Sequence, residues 1–331
     1  MINLLRKILC FTSPILFLML ISCSGKEGAV LMSNTATPTE FLVITTTPHS
    51  PMIVGDQLAA QTDMPALVST STPTAVEEET IDSPESPTPD TRPLPREWAG
   101  WPIIPVVSEK AKEIYGLGIE NGNDPHTFSV IGDCQSEPDV FMGIYETERN
   151  PLSDQDTHLL ETINRFAGSF SQKRLGVRDG MSAPTALSPL WADKEMCEAN
   201  ESPLSCELRV RKPSIVFVNL GTNWKPGASA ERYGEYLREI VSEIIASGAV
   251  PILSTKADNV EGDHSINRVT AEVAYEYEIP LWNFWLAADS LPNHGLDSER
   301  DNIYLTPLGW DRRNYTALQA LDAVWRAIES E

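Results

Sequence analysis

Basic residues are scarce in this chain. Lys and Arg number 25 against 47 Asp and Glu in 331 residues, leaving a formal net charge of −22. Phosphate recognition needs clustered cations, so this balance excludes a nucleic-acid binder. It equally disfavours charge-driven docking on an anionic membrane. Long apolar runs are missing as well: residues 8–20 form a strongly apolar stretch of about thirteen, too short to span a bilayer comfortably. Histidine is rare, five in all, and none follows His294. Cysteine occupies five positions, and no further ligands gather around any of them as a metal site requires. The sequence names no metal and no organic cofactor, and it carries no internal repeat. What it has in excess is proline, 25 residues, a sign that part of the chain does not pack.

The ends of that apolar stretch give it meaning. Arg6 and Lys7 precede it as a positive n-region, and Leu20-Ile21-Ser22-Cys23-Ser24-Gly25 follow it. This reads as a signal peptide over residues 1–22, and the small residue before Cys23 resembles a bacterial lipobox. Cleavage there leaves Cys23 to carry lipid; an ordinary signal peptide or an uncleaved anchor are the alternatives. A diacylated Cys23 makes the membrane a partner and places the protein outside the cytoplasm, in the bacterial cell envelope. Residues 23–97 then form a linker. Ten of the prolines fall within 34–97, with runs of Thr and Ser and the acidic triplet Glu77-Glu78-Glu79. Such a segment buries too little apolar surface to offset its ordering entropy.

From residue 98 to 331 the pattern becomes that of one α/β domain. Residues 126–132 read as a strand, and 214–220 form a nearly continuous apolar run, as in a central parallel strand. Residues 250–254 and 280–285 give two more. Tyr233, Tyr236, Leu237, Ile240, Val241, Ile244 and Ile245 recur on one helical face, and Gly248 is the stop signal. Leu159, Leu160, Ile163, Phe166 and Phe170 mark another helix behind the cap candidate Ser153; Leu318, Leu321, Trp325 and Ile328 mark the last. Strands alternating with helices predict a parallel sheet between helical layers, a three-layer α/β/α sandwich. Cys197 and Cys206, nine apart in a polar stretch, predict a disulfide in an exported protein, worth roughly 2–3 kcal/mol by loop-closure entropy.

Ligands of such folds bind at the carboxyl ends of the strands. There the sequence places Gly132-Asp133-Cys134, then Gly221-Thr222-Asn223, and before the last helix Asp301-Asn302-Ile303-Tyr304. In order and spacing these blocks resemble the SGNH (GDSL-type) hydrolases, esterases and lipases with a flavodoxin-like sheet. The resemblance covers residues 128–310. It implies a nucleophile at Cys134, oxyanion donors at Gly180 and Asn223, an orienting carboxylate at Asp301, and an acylated glycan or lipid as substrate.

The departures change the chemistry. Cys134 stands at the serine position, Trp224 replaces the Asp of the second block, and Tyr304 stands where the family has its general-base histidine. A phenol with a pKa near 10 is a poor proton acceptor at neutral pH. A thiol near 8.5 partly compensates, being an intrinsically better nucleophile. Hydrolysis of reduced rate is one expectation; a silent domain binding a glycan, lipid or protein at the cell surface is the other. His264 and His294 lie on loops near the same rim, as substitutes for the base or as solvated loop residues, and Ser136 is a displaced nucleophile candidate. Trp224, Trp282, Trp285 and Trp310 offer either a ligand platform or core.

Overall fold

The computed structural model describes residues 92–225 and 227–330. The signal peptide, Cys23 and the linker up to residue 91 lie outside them. Twelve regular elements follow in order: α1 (Glu109–Glu120), β1 (Asp124–Gly132), α2 (Thr157–Arg165), α3 (Ala183–Ala186), α4 (Pro203–Arg211), β2 (Pro213–Asn219), α5 (Ala230–Ala246), β3 (Val250–Ser254), α6 (Ser265–Glu276), β4 (Leu281–Trp282), α7 (Phe284–Ala288) and α8 (Pro307–Glu329). The last residues of the expected linker already belong to this body: Arg92 donates to Tyr275 O at 2.8 Å and lies 4.0 Å over the Tyr275 ring.

All four strands are parallel and ordered β1-β2-β3-β4. Every residue of β2 is buried, so both faces of the sheet are covered by helices. Phe217 of β2 packs edge-on against Phe128, Phe141 and Trp282, a cluster in which each ring contributes about 1.5–3 kcal/mol by burial alone. The flavodoxin-like order needs one further strand outside β1. It survives as a single parallel bridge, Gly132 with Val177, held by Gly132 N to Gly176 O at 3.0 Å and Arg178 N to Gly132 O at 3.2 Å. The chain thus reverses its winding between β1 and β2, and the carboxyl ends of those two strands flank the switch point where such folds place their ligands.

The helices form where the periodicity places them, except that α2 ends at Arg165, so Phe166 is its C-cap and Phe170 lies in the turns beyond it. α5 buries Tyr233, Leu237, Ile240, Val241 and Ile244 and starts at Ser229, whose hydroxyl accepts from Arg232 N. Ser153 caps a short turn that runs into α2. One strand is shorter than its apolar run: β4 stops at Trp282 because the Asn283 side chain caps α7, accepting from Leu286 N. Trp285 therefore lies on a helix and not, as the run implied, on a strand shared with Trp282. Cys197 and Cys206 are joined, tying the 193–201 loop to α4.

Candidate active site

β1 ends at Gly132 because nothing larger fits: a Cβ there would come within 2.8 Å of Ser136 Cβ and 3.0 Å of Asn219 O. Asp133 then caps a single 3-10 turn, Cys134–Ser136, by accepting from Gln135 N at 3.0 Å. Cys134 is half-buried at the head of this turn and outside any disulfide. Ser136 points the other way. It is fully buried, and its hydroxyl takes a hydrogen bond from Asn219 Nδ2 at 3.3 Å, so it packs against the sheet rather than facing the rim.

After β2, Gly221 adopts φ +122°, and a Cβ would meet Ile266 Cγ2 at 2.8 Å and Lys256 Cδ at 3.2 Å. Only glycine allows this tight exit, which delivers Asn223 to the neighbouring turn. The Asn223 amide donates to Asp133 Oδ2 and to Met181 O, both at 3.1 Å. One side chain thus ties together the segments that follow β1, the Val177 bridge and β2. Gly180 sits in the second of these, exposed at φ +72° in a turn closed by Met181 N to Arg178 O. Its N–H donates to no described residue.

The fourth segment arrives from before α8. Gln135 Nε2 donates to Ile303 O at 2.9 Å, and Asp297 N donates to Tyr304 O at 2.9 Å, which fixes residues 301–304 beside the cysteine turn. Tyr304 is half-buried beneath the Arg300 guanidinium, 3.9 Å from the ring centre. Asp301 and Asn302 both take left-handed backbone, φ +59° and +54°. The Asp301 carboxylate is exposed and makes no hydrogen bond or ion pair among the described residues, so it orients nothing here.

Behind the rim lies a polar cavity of about 30 Å³, lined by Asp133, Asn219, Thr222, Lys256, Asp258 and Arg313 among others. That is room for about two waters, and the buried, otherwise unpartnered Asn219 Oδ1 explains why one belongs there. Lys256 bridges Asp258 and Glu261, each at 2.6 Å, and Thr222 donates to Asp258 at 2.7 Å. Burial pushes the Asp133 carboxyl up to about 6, opposed by the Arg313 charge and the Gln135 N–H. Asp133 was visible in the sequence only as a neighbour of the cysteine. Arg313 was not visible as a site residue at all, since α8 offers it as one more cation in an Asp-Arg-Arg run.

His264 and His294 come together around a different ring. Their imidazoles pack against Trp285 at 5.7 and 5.2 Å, with Trp98 at 6.1 Å from His264. Burial lowers the His264 pKa, and His294 adds to this. Trp282 is core, donating to Thr316 Oγ1 at 3.1 Å. Trp224 packs on Tyr233 and Tyr236, and Trp310 lies near Arg313.

Solved structures of GDSL-type and related esterases are similar to this chain. They include TesA, with 17% identity and a TM-score of 0.39 over 60% of this chain and 99% of that one. An acetylxylan esterase of Geobacillus stearothermophilus has 14% identity and a TM-score of 0.39 over 60% and 94%. A GDSL-like lipase of Bacteroides thetaiotaomicron has 14% identity and a TM-score of 0.39 over 64% and 98%. No family model and no curated protein matches the chain.

Proposed function

We propose that this is an ester-hydrolase-like protein of SGNH type, anchored outside the cytoplasm by lipid on Cys23 and acting slowly on acylated glycans or lipids with Cys134 as nucleophile. The observation that supports the reading is the meeting of three chain segments at Asn223, whose amide donates to Asp133, the residue before Cys134, and to the carbonyl of Met181, the residue after Gly180. In the first step Sγ attacks the acyl carbonyl, the C–O bond breaks, and the alkoxide takes a proton from water. In the second, water cleaves the acyl-thioester and releases the acid. The free Gly180 N–H suits the developing oxyanion. Tyr304 is a poor base in both steps, which makes them slow.

One observation favours the other reading, a silent domain that binds an acylated ligand. Both hydrogens of the Asn223 amide are already used within the protein, so the donor must let go of one partner before it can serve an oxyanion. Turnover of p-nitrophenyl acetate and of an acetyl thioester by the full chain, beside Cys134→Ala, separates the two. Slow turnover lost in the variant supports the hydrolase. Equal turnover by both proteins removes Cys134 from the mechanism, and none by either leaves the binding reading. The anchor is tested separately: Cys23→Ser should release the protein from the membrane fraction.

A further inference from the structure

Asp133 is only 4% exposed, and its two carboxyl oxygens are engaged separately. Oδ1 accepts the Gln135 N–H at 3.0 Å and so holds the turn that begins at Cys134. Oδ2 accepts from Asn223 Nδ2 at 3.1 Å, and the other hydrogen of that amide goes to Met181 O, also at 3.1 Å. Asn223 itself is exposed, at the open end of the site. Its two acceptors differ in kind. A backbone carbonyl is the same acceptor at every pH, whereas a carboxyl is not. The bond to an ionised Asp133 is charge-assisted and roughly twice as strong as a neutral one. Protonation removes that advantage and gives the carboxyl a hydrogen of its own to place.

The surroundings accept either form. Asp133 and Asn219 line the same polar cavity, and the buried Asn219 Oδ1 has no partner among the described residues. A water there can take the carboxyl proton and pass one on to that oxygen. Burial, which raises the Asp133 pKa, is opposed by the Arg313 guanidinium of α8 and by the Gln135 N–H. Asp258, from the segment after β3, and Asp179, from the loop after Val177, add to the rise. Lys256 shares the cavity wall, but its ammonium already bridges Asp258 and Glu261. Cys134 is the next residue along the chain. The balance leaves the carboxyl at about 6, so it changes charge close to neutral pH.

We propose that Asp133 is a positioning residue that latches Asn223: the ionised carboxylate keeps the amide turned inward, and the protonated carboxyl releases it toward a bound acyl oxygen. This rests on Cys134 and Asn223 serving acyl transfer, and it makes the oxyanion donor conditional. One N–H cannot serve two anions, and a carboxylate 3.1 Å from the donor nitrogen repels an oxyanion approaching the same hydrogen. The ionised site therefore offers a developing oxyanion the Gly180 N–H without the Asn223 amide. The protonated site offers both. A carboxyl with a pKa of about 6 is protonated in about one molecule in ten at pH 7. Slow turnover at neutral pH thus gains a second cause beside Tyr304. Asp133→Asn mimics the uncharged form at every pH: its carbonyl oxygen can keep the Gln135 N–H, while its NH2 gives Asn223 no acceptor.

The test reads the amide and the turnover of the full chain. In nitrogen–proton correlation spectra the Asn223 side-chain amide, assigned by its loss in Asn223→Ala, should titrate in the wild type with a midpoint near 6. It should stay flat over the same range in Asp133→Asn. With p-nitrophenyl acetate, kcat of Asp133→Asn relative to wild type should be near one at about pH 5 and rise about tenfold by pH 7, with KM little changed. Taking the ratio cancels any group that titrates in both proteins, the Cys134 thiol included. An amide titration that persists in the folded variant overturns the proposal, as does a flat kcat ratio. Should the variant fail to fold, the wild-type Asn223 amide and the Asp133 carboxyl carbon decide: separate midpoints overturn the latch, and a shared one supports it. An amide that titrates with Asp133 while neither protein turns over an ester keeps the latch and sinks the hydrolase. Turnover that needs Cys134 but shows a flat ratio keeps the hydrolase and sinks the latch.

Discussion

The Asn223 amide donates to Asp133 Oδ2 at 3.1 Å, across the gap between the turns that follow β1 and β2. This bond makes Asp133, and not the cysteine alone, the centre of the site. Asn223→Ala should leave a buried carboxylate short of one donor and lower stability by about 1–3 kcal/mol. If the amide also turns toward an acyl oxygen during reaction, kcat should fall on the order of 10²–10³ with KM little changed. Melting curves and steady-state kinetics of the same variant read the two effects separately. A stability loss without a kinetic one would confine Asn223 to holding the loops.

Asp133 also carries a pH signature. Its carboxyl is raised from 3.8 to about 6 in the folded protein, chiefly by burial. A raised folded pKa means that the unfolded chain gives up this proton first. The stability it contributes is therefore complete below about pH 4 and is lost as pH rises through 6, by roughly 3 kcal/mol. Other carboxylates titrate in the same range, so the readout is the difference between the wild type and Asp133→Asn in urea unfolding. That difference should move in the variant's favour by about this amount from pH 4 to 7. A constant offset across the range would mean that Asp133 is not the group responsible.

Glu207 of α4 sets a third expectation. It is fully buried and accepts Ser129 Oγ at 2.7 Å together with the N–H groups of Leu175 and Gly176, at 2.5 and 3.1 Å. It thereby clamps the 175–177 segment beside β1 and, through it, the loop that presents Gly180. Glu207→Ala strands two backbone donors and should cost about 3–5 kcal/mol. Deuterium exchange should rise first at residues 175–181. Uniform exchange across the sheet would mean that the clamp is not local.

Much of this architecture could be read from the chain because its signals are local. The apolar run of β2, the single face of α5 and the glycines before Asp133 and Thr222 each follow from a few adjacent residues. The features that escape local signals turn on either one side chain or a very distant partner. Asn283 ends β4 by capping α7, and an apolar Trp-Asn-Phe-Trp run does not announce it. Val177 joins the sheet through a single bridge, too short to give any alternation. Arg313 reaches Gln135 across 178 positions of sequence, and no spacing rule anticipates that pairing. His264 and His294, candidates for the missing base, gather instead around Trp285.

The fourth prediction concerns the missing base itself. The Gln135 Nε2 to Ile303 O bond pins the 301–304 segment against the turn that begins at Cys134, so a histidine at 304 would enter the neighbourhood of that turn. Arg300, 3.9 Å over the present ring, would hold an imidazole toward its neutral form, the form that accepts a proton. Cys134→Ser alone should be nearly inert, because an alcohol without a base is a far weaker nucleophile than a thiolate. Cys134→Ser combined with Tyr304→His should exceed it at least tenfold in p-nitrophenyl acetate hydrolysis, with a rate that rises through the imidazole pKa. Asp301 offers such a histidine no contact at present, so the gain should stay well short of a complete triad. No gain in a folded double variant would mean that residue 304 faces away from residue 134, and the tyrosine would then be a structural support for Arg300 instead of the vestige of a base.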